Sequence, residues 1–148
     1  MGWLSFAFAL AAGAFISAQV GSNSQLKKSL EATMPAVIVN YLVGLVCITL
    51  YSIARRAPVM AAAAKASDVP WWGWMGGVFG AVYGVAAVIL ASQMGAATLT
   101  ALVITGQLVS SVVLDHYGWM GFEVHPASFW RVMGCVLMIA GLGLIAKF

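Results

Sequence analysis

The chain has 148 residues, of which 63% are hydrophobic and only 7% charged, and its formal net charge is +3. A soluble domain carries about 25% charged residues, so this composition excludes an ordinary water-soluble globular protein. Because lysines and arginines anchor helix ends beside anionic lipid headgroups, the small positive charge does not indicate a nucleic-acid partner.

Five apolar runs predict five membrane-spanning helices, because lipid leaves no other way to pair the backbone of a single segment. The longest uncharged stretch, residues 69–114, would measure roughly 69 Å as one helix, about twice the hydrocarbon core. It must cross and return, with the turn expected at residues 92–95. The predicted spans are residues 3–24, 34–54, 71–92, 96–115 and 127–146. Their short connections predict a single five-helix transmembrane domain over residues 1–148.

The first two spans carry amide side chains at positions where lipid is expected. Gln19 and Asn23 lie four residues apart on the first span, and Asn40 lies in the second. Buried amides need hydrogen-bond partners, so these side chains should face other helices or a wet cavity. No positive residue precedes Lys27, so the first span lacks the basic start of a secretory signal peptide and is expected to be retained.

The third span combines an aromatic start with a stripe of glycines. Its three tryptophans between residues 71 and 74 are typical of the water–lipid boundary. Gly76, Gly80 and Gly84 recur at a spacing of four, which predicts a packing seam that a neighbouring backbone can approach closely. Tyr83 on the same span is a weaker candidate for solute binding, because aromatic rings also fill space in ordinary packing.

The fourth span carries a polar stripe that permits two interpretations. Thr100, Gln107, Ser111 and Asp115 follow one another at steps of seven, four and four, which keeps them on one helical face. Hydrogen bonding between helices would account for the stripe, at about 0.6 kcal/mol per bond. A polar lining for a solute path would account for it equally well.

Asp115 ends the fourth span, and Arg131 lies about one turn into the fifth. Both therefore approach the same membrane face, where pairing would reduce the cost of leaving either charge partly in lipid. A structural clamp and a gate that contacts solute are both open roles for the pair.

Catalysis, metal binding and cofactors are not expected. His116, Glu123 and His125 are irregularly spaced in a polar connection, and Cys47 and Cys135 both lie inside spans. No span contains the paired residues that would activate a nucleophile or water, so the chain is not predicted to be an enzyme. No carboxylate lies near the centre of a span, which makes neutral or anionic solutes at least as plausible as cations.

Several segments resemble the YdcZ-type family of small bacterial membrane proteins, which is placed in the drug/metabolite transporter superfamily. These are residues 21–26, residues 36–44 with Asn40, residues 106–107, residues 115–118, and Arg131 with Gly134 and Gly141. The resemblance implies a multi-pass transporter of the bacterial inner membrane. Larger superfamily members look like two five-helix halves in opposite orientations, and this chain resembles one half.

The resemblance also directs attention to particular residues. Asn23, Gln107, Asp115 and Arg131 are the positions it marks as functional. Smaller four-helix multidrug members of the superfamily act as antiparallel dimers and use a glutamate in the first span. This chain has no counterpart of that glutamate, which argues against export of multidrug cations.

The charges at the two ends of the spans are nearly balanced. With alternating spans, one side of the membrane holds the positively charged residues Arg55, Arg56 and Lys65, and also Arg131 if that residue lies outside the helix. The other side holds Lys27, Lys28 and Lys147. The positive-inside rule then gives almost no preferred orientation. Insertion in both orientations and a single orientation set by subtler features are both open.

Together these features predict a transporter of a small solute that works by alternating access as an antiparallel homodimer of oppositely inserted copies. Pairing with a homologous chain in place of the second copy is also open. The binding site is expected to use Gln19, Asn23, Asn40, Tyr83, Gln107 and Ser111. A membrane subunit that stabilises or targets another protein, without transporting anything itself, is the alternative from a different class. A passive pore is a third possibility.

Overall fold

Five long helices make up most of the chain in the computed structural model, which describes residues 2–148. They are α1 (Trp3–Leu30), α2 (Thr33–Ala54), α4 (Met75–Met94), α5 (Ala96–Tyr117) and α6 (Phe129–Lys147). A short helix, α3 (Val59–Ala63), and single 3₁₀ turns at Ala66–Asp68, Trp71–Trp74 and Trp119–Gly121 fill the connections. Within the described residues, five segments are long and apolar enough to cross a membrane, the third counted from Trp71 to Met94. The predicted all-α membrane fold with five spans is confirmed.

The first helix is longer than the sequence predicts. It continues to Leu30, six residues past the expected end at residue 24, and includes Lys27 and Lys28 in its last turn. Positive side chains are favourable there because they face the negative end of the helix dipole, and their long stems let the ammonium groups reach polar surroundings. The helix therefore extends beyond the predicted span and includes these two charges.

A helix break lies within residues 92–95, where the sequence predicts a turn. α4 ends at Met94, α5 begins at Ala96, and the single residue between them is Gly95 with φ +81°. That backbone conformation suits glycine, which has no Cβ to clash with the following carbonyl.

The chain divides into two compact units, residues 2–89 and 90–148, with the boundary inside α4. In the first unit α1 packs against α2, and in the second α5 packs against α6. The expectation of one five-helix domain stays a prediction.

Few side chains are buried, and most of those that are buried are small. The buried apolar residues of the described chain are Val20, Ala36, Val37, Ala87, Val88, Leu99 and Cys135. In each span, at most 17% of the most apolar 18-residue window is buried. Most of the apolar surface is therefore left for lipid or for another protein chain to cover.

Candidate functional site

The second unit contains an ion pair between the end of α5 and the start of α6. The Arg131 guanidinium donates a hydrogen bond to the Asp115 carboxylate. The two side chains are 34% and 24% exposed, respectively, so the pair is neither fully buried nor fully in solvent. These are the two charges that the sequence places at the same membrane face, and the structure brings them into contact.

The connection between α5 and α6 folds back onto this pair. Arg131 also donates to the His125 carbonyl at 2.7 Å, and the His125 backbone N–H donates to the Asp115 carbonyl at 2.9 Å. The Ala127 N–H donates to His116 Nδ1 at 3.1 Å, which places the ring proton of a neutral imidazole on Nε2. One arginine therefore joins both helices and the loop between them.

Glycine makes the beginning of this connection possible. Gly118 ends α5 with φ +62°, and a Cβ at that position would lie 2.7 Å from Val124 Cγ2. At the other end, the Ser128 side chain accepts a hydrogen bond from the Arg131 N–H at 3.4 Å and caps α6. The turn is thus shaped so that residues 115 and 131 meet.

Both charges of the pair oppose the dipoles of their own helices. Asp115 lies in the last turn of α5, where a cation is favoured, and Arg131 lies in the first turn of α6, where an anion is favoured. Each mismatch costs about 0.3–1 kcal/mol at a partly exposed helix end. The ion pair offsets both costs. Separating the two side chains would restore both costs, so the contact stabilises the facing ends of both helices.

The first unit is joined by a tyrosine that the sequence did not single out. The Tyr41 hydroxyl on α2 donates to the Gly80 carbonyl on α4. A Cβ at Gly84 would lie 2.6 Å from the Tyr41 Oη, whereas a Cβ at Gly76 would meet nothing within 4 Å. Two glycines of the predicted seam therefore accommodate an aromatic ring, and not the neighbouring backbone that the spacing predicts. The signal that could have found Tyr41 is a tyrosine in mid-span, since its hydroxyl needs an acceptor there.

Lys27 also makes a contact in the first unit that was not predicted from the sequence. Its ammonium group donates to the Val88 carbonyl of α4 at 3.5 Å. Asn23 lies one turn earlier on the same face of α1 and is 8% exposed. The sequence analysis did not place Lys27 on the same helix face as Asn23, because it ended the first span at residue 24.

The remaining candidates lie nearer the surface. In the first unit Gln19 is exposed, Asn40 is half-buried and Tyr83 is 36% exposed. In the second unit Gln107 and Ser111 are both exposed on α5. The buried hydroxyl of α5 is Thr105, which donates to the Ala101 carbonyl of its own helix at 2.7 Å. Among the predicted residues, direct contact is therefore seen between Asp115 and Arg131.

The described residues contain no group of three or more His, Cys, Asp or Glu side chains that could hold a metal ion. Cys47 is exposed and Cys135 is buried, and both are free thiols.

Comparison with known proteins agrees with this architecture. Residues 4–144 match the model of a family described as "Putative inner membrane exporter, YdcZ". The chain belongs to the YdcZ family. It is 28% identical to the inner membrane protein YdcZ of Escherichia coli K12 over 145 residues, which cover 97% of this chain and 95% of that one. Among solved structures, none matches the chain.

Membership of the YdcZ family, together with the five spans, identifies the chain as a multi-pass inner-membrane protein. The family description supports membrane transport as its general function and indicates a transporter rather than an enzyme. The match covers both units, so the ion pair of the second unit and the tyrosine contact of the first both lie within the family region.

Proposed function

We propose that this YdcZ-family chain moves a small solute across the inner membrane by alternating access, as an antiparallel homodimer of oppositely inserted copies. The observation that carries the proposal is the position of Gln107 and Ser111 on α5. Both are exposed on the single chain although they lie inside a span. Polar groups left in hydrocarbon without hydrogen bonds cost several kcal/mol each, so a second chain or a water-lined path must cover this face.

The balance of charges supports insertion in both orientations. Arg131 lies within α6 and is paired with Asp115, so it does not act as a free loop charge. That leaves three positive residues on each side: Arg55, Arg56 and Lys65 against Lys27, Lys28 and Lys147. Such a balance gives the positive-inside rule nothing to act on.

Two oppositely inserted copies supply the inverted repeat that alternating-access transporters use. In such proteins the solute site lies near the bilayer midplane, between repeats of opposite orientation. A chain with five spans, an odd number, corresponds to one repeat. In the proposed dimer, Gln107 and Ser111 line the solute path with Gln19, Asn23 and Asn40. The contact between Asp115 and Arg131 opens and closes at one membrane face.

The open surface around Gly76 supports a contact between copies. Gly76 and Gly77 on α4 have nothing within 4 Å of the position a Cβ would take. Faces made of small residues allow helices of two chains to approach closely in a membrane.

Transport is tested by the solutes that cells release. Cells that express the wild-type chain should accumulate at least one solute in the medium, detected by untargeted mass spectrometry. The double variant Gln107→Leu with Ser111→Ala should lose that excess while its membrane abundance is unchanged. Ser110→Ala is the matched control, because Ser110 is also exposed but lies on the next face of the helix. Unchanged release by the double variant would exclude this face as the solute path, whereas no excess release by the wild-type chain would favour a subunit that does not transport.

Dual insertion is tested separately with the replacement Phe148→Cys in a chain whose two native cysteines are replaced by alanine. A maleimide reagent that does not cross membranes should label a comparable fraction of the protein from each side of the membrane. Labelling from one side alone would exclude the antiparallel homodimer and leave a parallel or heteromeric assembly.

A further inference from the structure

The connection after α2 contains an arginine in a backbone conformation that usually belongs to glycine. The Ala57 N–H donates to the Ser52 carbonyl at 2.9 Å, and the Arg56 N–H donates to the Ile53 carbonyl at 3.0 Å. These two bonds form a Schellman motif, whose left-handed residue is most often glycine. Here that residue is Arg56, with φ +50°.

Ending α2 does not by itself explain why an arginine occupies position 56. A left-handed conformation is unfavourable for a residue with a Cβ, because the Cβ approaches the following carbonyl oxygen. Glycine would end α2 without that penalty, and Pro58 already prevents the helix from continuing. An unfavourable backbone conformation at a charged residue points to a use for its side chain.

A cleft lies beside Arg56, in the angle between the end of α2 and the short helix α3. Its volume is about 410 Å³, within the range of small-molecule sites. Its walls are mostly apolar and include Ile48 and Ile53 of α2 with Val59 and Met60 of α3. Two hydroxyl residues, Thr49 and Ser52, also line it, and Arg56 supplies its positive charge.

The charge of Arg56 is not neutralised within the chain. Arg56 is exposed, and in residues 2–148 no carboxylate lies within ion-pair distance of its guanidinium. Arg55 precedes it and is also exposed. The same connection leads directly to the tryptophan-rich turn Trp71–Trp74, whose side chains are typical of the water–lipid boundary. The cleft therefore combines mostly apolar walls with one cationic side chain, Arg56, at the end of a span where lipid headgroups are expected.

We propose that this cleft binds an anionic phospholipid. The phosphate accepts hydrogen bonds from the Arg56 guanidinium, whose planar donors match two phosphate oxygens, and Arg55 adds to the attraction. Thr49 and Ser52 donate to the glycerol ester oxygens, and the first part of an acyl chain lies against Ile53 and Met60. Clusters of basic residues at the end of a span attract anionic lipids in this way.

A second cleft, in the other unit, lacks this combination. It lies between α5 and α6, has a volume of about 290 Å³ and is lined mainly by valines, with His116 and Tyr117. The arginine of that unit does not line the cleft and already donates to Asp115. A phosphate there would have to compete with an internal carboxylate.

The experiment measures lipid binding by the full-length chain in a neutral detergent. Phosphatidylglycerol and phosphatidylcholine with the same acyl chains are added in turn, and bound lipid is counted by native mass spectrometry. The wild-type chain should bind phosphatidylglycerol in preference to phosphatidylcholine. Arg56→Gly suits the left-handed backbone and should fold, but its affinity for phosphatidylglycerol should fall on the order of tenfold. Arg56→Asn, which also tolerates that backbone, should behave alike.

Lys65→Gln is the matched control, since it removes one positive charge from the same connection but does not line the cleft. It should retain most of the preference for phosphatidylglycerol. Full retention of that preference by Arg56→Gly would overturn the proposal, and so would an equal loss in Lys65→Gln, which indicates diffuse attraction. Displacement of the bound lipid by millimolar inorganic phosphate would overturn the assignment to a lipid.

Discussion

Each of the two units contains a side-chain hydrogen bond that joins two of its helices, and the Tyr41 and Arg131 contacts differ in chemistry and position. In the first unit the Tyr41 hydroxyl, near the middle of α2, donates to the Gly80 carbonyl. In the second unit Arg131 and Asp115 pair at helix ends. A neutral hydrogen bond to a backbone carbonyl can lie in hydrocarbon because neither group is charged. An ion pair is tolerated where water can solvate part of both charges, and these two side chains are partly exposed. The first contact therefore suits the membrane interior and the second suits its boundary.

The largest expected effect is on the contact in the first unit. Gly84→Ala places a Cβ 2.6 Å from the Tyr41 Oη, so the ring must shift and its hydrogen bond to Gly80 is lost or weakened. Overpacking of this kind destabilises by about 1–3 kcal/mol. The apparent melting temperature in detergent should fall clearly. An unchanged melting temperature would show that the ring moves without cost and that the contact does not hold the unit together.

Removing one charge of the ion pair should have a somewhat smaller effect. Asp115→Leu leaves Arg131 in the first turn of α6 without its carboxylate, facing an unfavourable dipole. Because the pair is partly exposed, we expect a loss of about 1–2 kcal/mol rather than the larger values known for buried pairs. Thermal unfolding in detergent measures it, with Asp68→Leu as a control carboxylate outside the ion pair.

Exchanging the two charges separates the contribution of the ion pair to stability from that of the helix dipoles. The double variant Asp115→Arg with Arg131→Asp keeps an ion pair but gives each helix end the charge that its dipole favours. Its melting temperature should return to the wild-type value or exceed it. If the double variant is as unstable as Asp115→Leu, then the hydrogen bond from Arg131 to the His125 carbonyl matters more than the pair.

The smallest expected effect is at the start of the glycine stripe. Gly76→Ala adds a methyl group where nothing lies within 4 Å, so the stability of the single chain should change by less than about 0.5 kcal/mol. If Gly76 faces a second copy, cross-linking of the dimer should fall although the melting temperature of the monomer does not. A large loss of monomer stability would contradict the open space around Gly76.

Much of the architecture could be predicted because the bilayer requires it. Each apolar run had to be a helix of about twenty residues, and residues 92–95 were expected to separate two such helices. The meeting of Asp115 and Arg131 was also accessible, since a short connection holds the ends of consecutive spans at one face. The end of α1 was missed because a lysine in a last helical turn looks, in sequence, like a lysine in a loop.

Tyr41, Lys27 and Arg56 were not identified from the sequence because their roles depend on backbone geometry. Tyr41 bonds to a backbone carbonyl, and every residue has one, so no partner residue marks the contact in the sequence. Lys27 likewise donates to the Val88 carbonyl. Arg56 becomes notable through its positive φ and the cleft beside it, and neither can be inferred from residue type.

By itself the sequence determined that the chain lies in a membrane, how many spans it has and where most helices end. The reason is that unpaired backbone groups and charges in hydrocarbon cost more free energy than local conformational preferences can offset. Only the tertiary structure decided the polar contacts to backbone carbonyls: a tyrosine with a glycine of α4, a lysine with Val88 of α4, and Arg131 with the loop that precedes it. Those contacts depend on the rotation of each helix about its axis, which small differences in packing determine and which apolar composition does not encode.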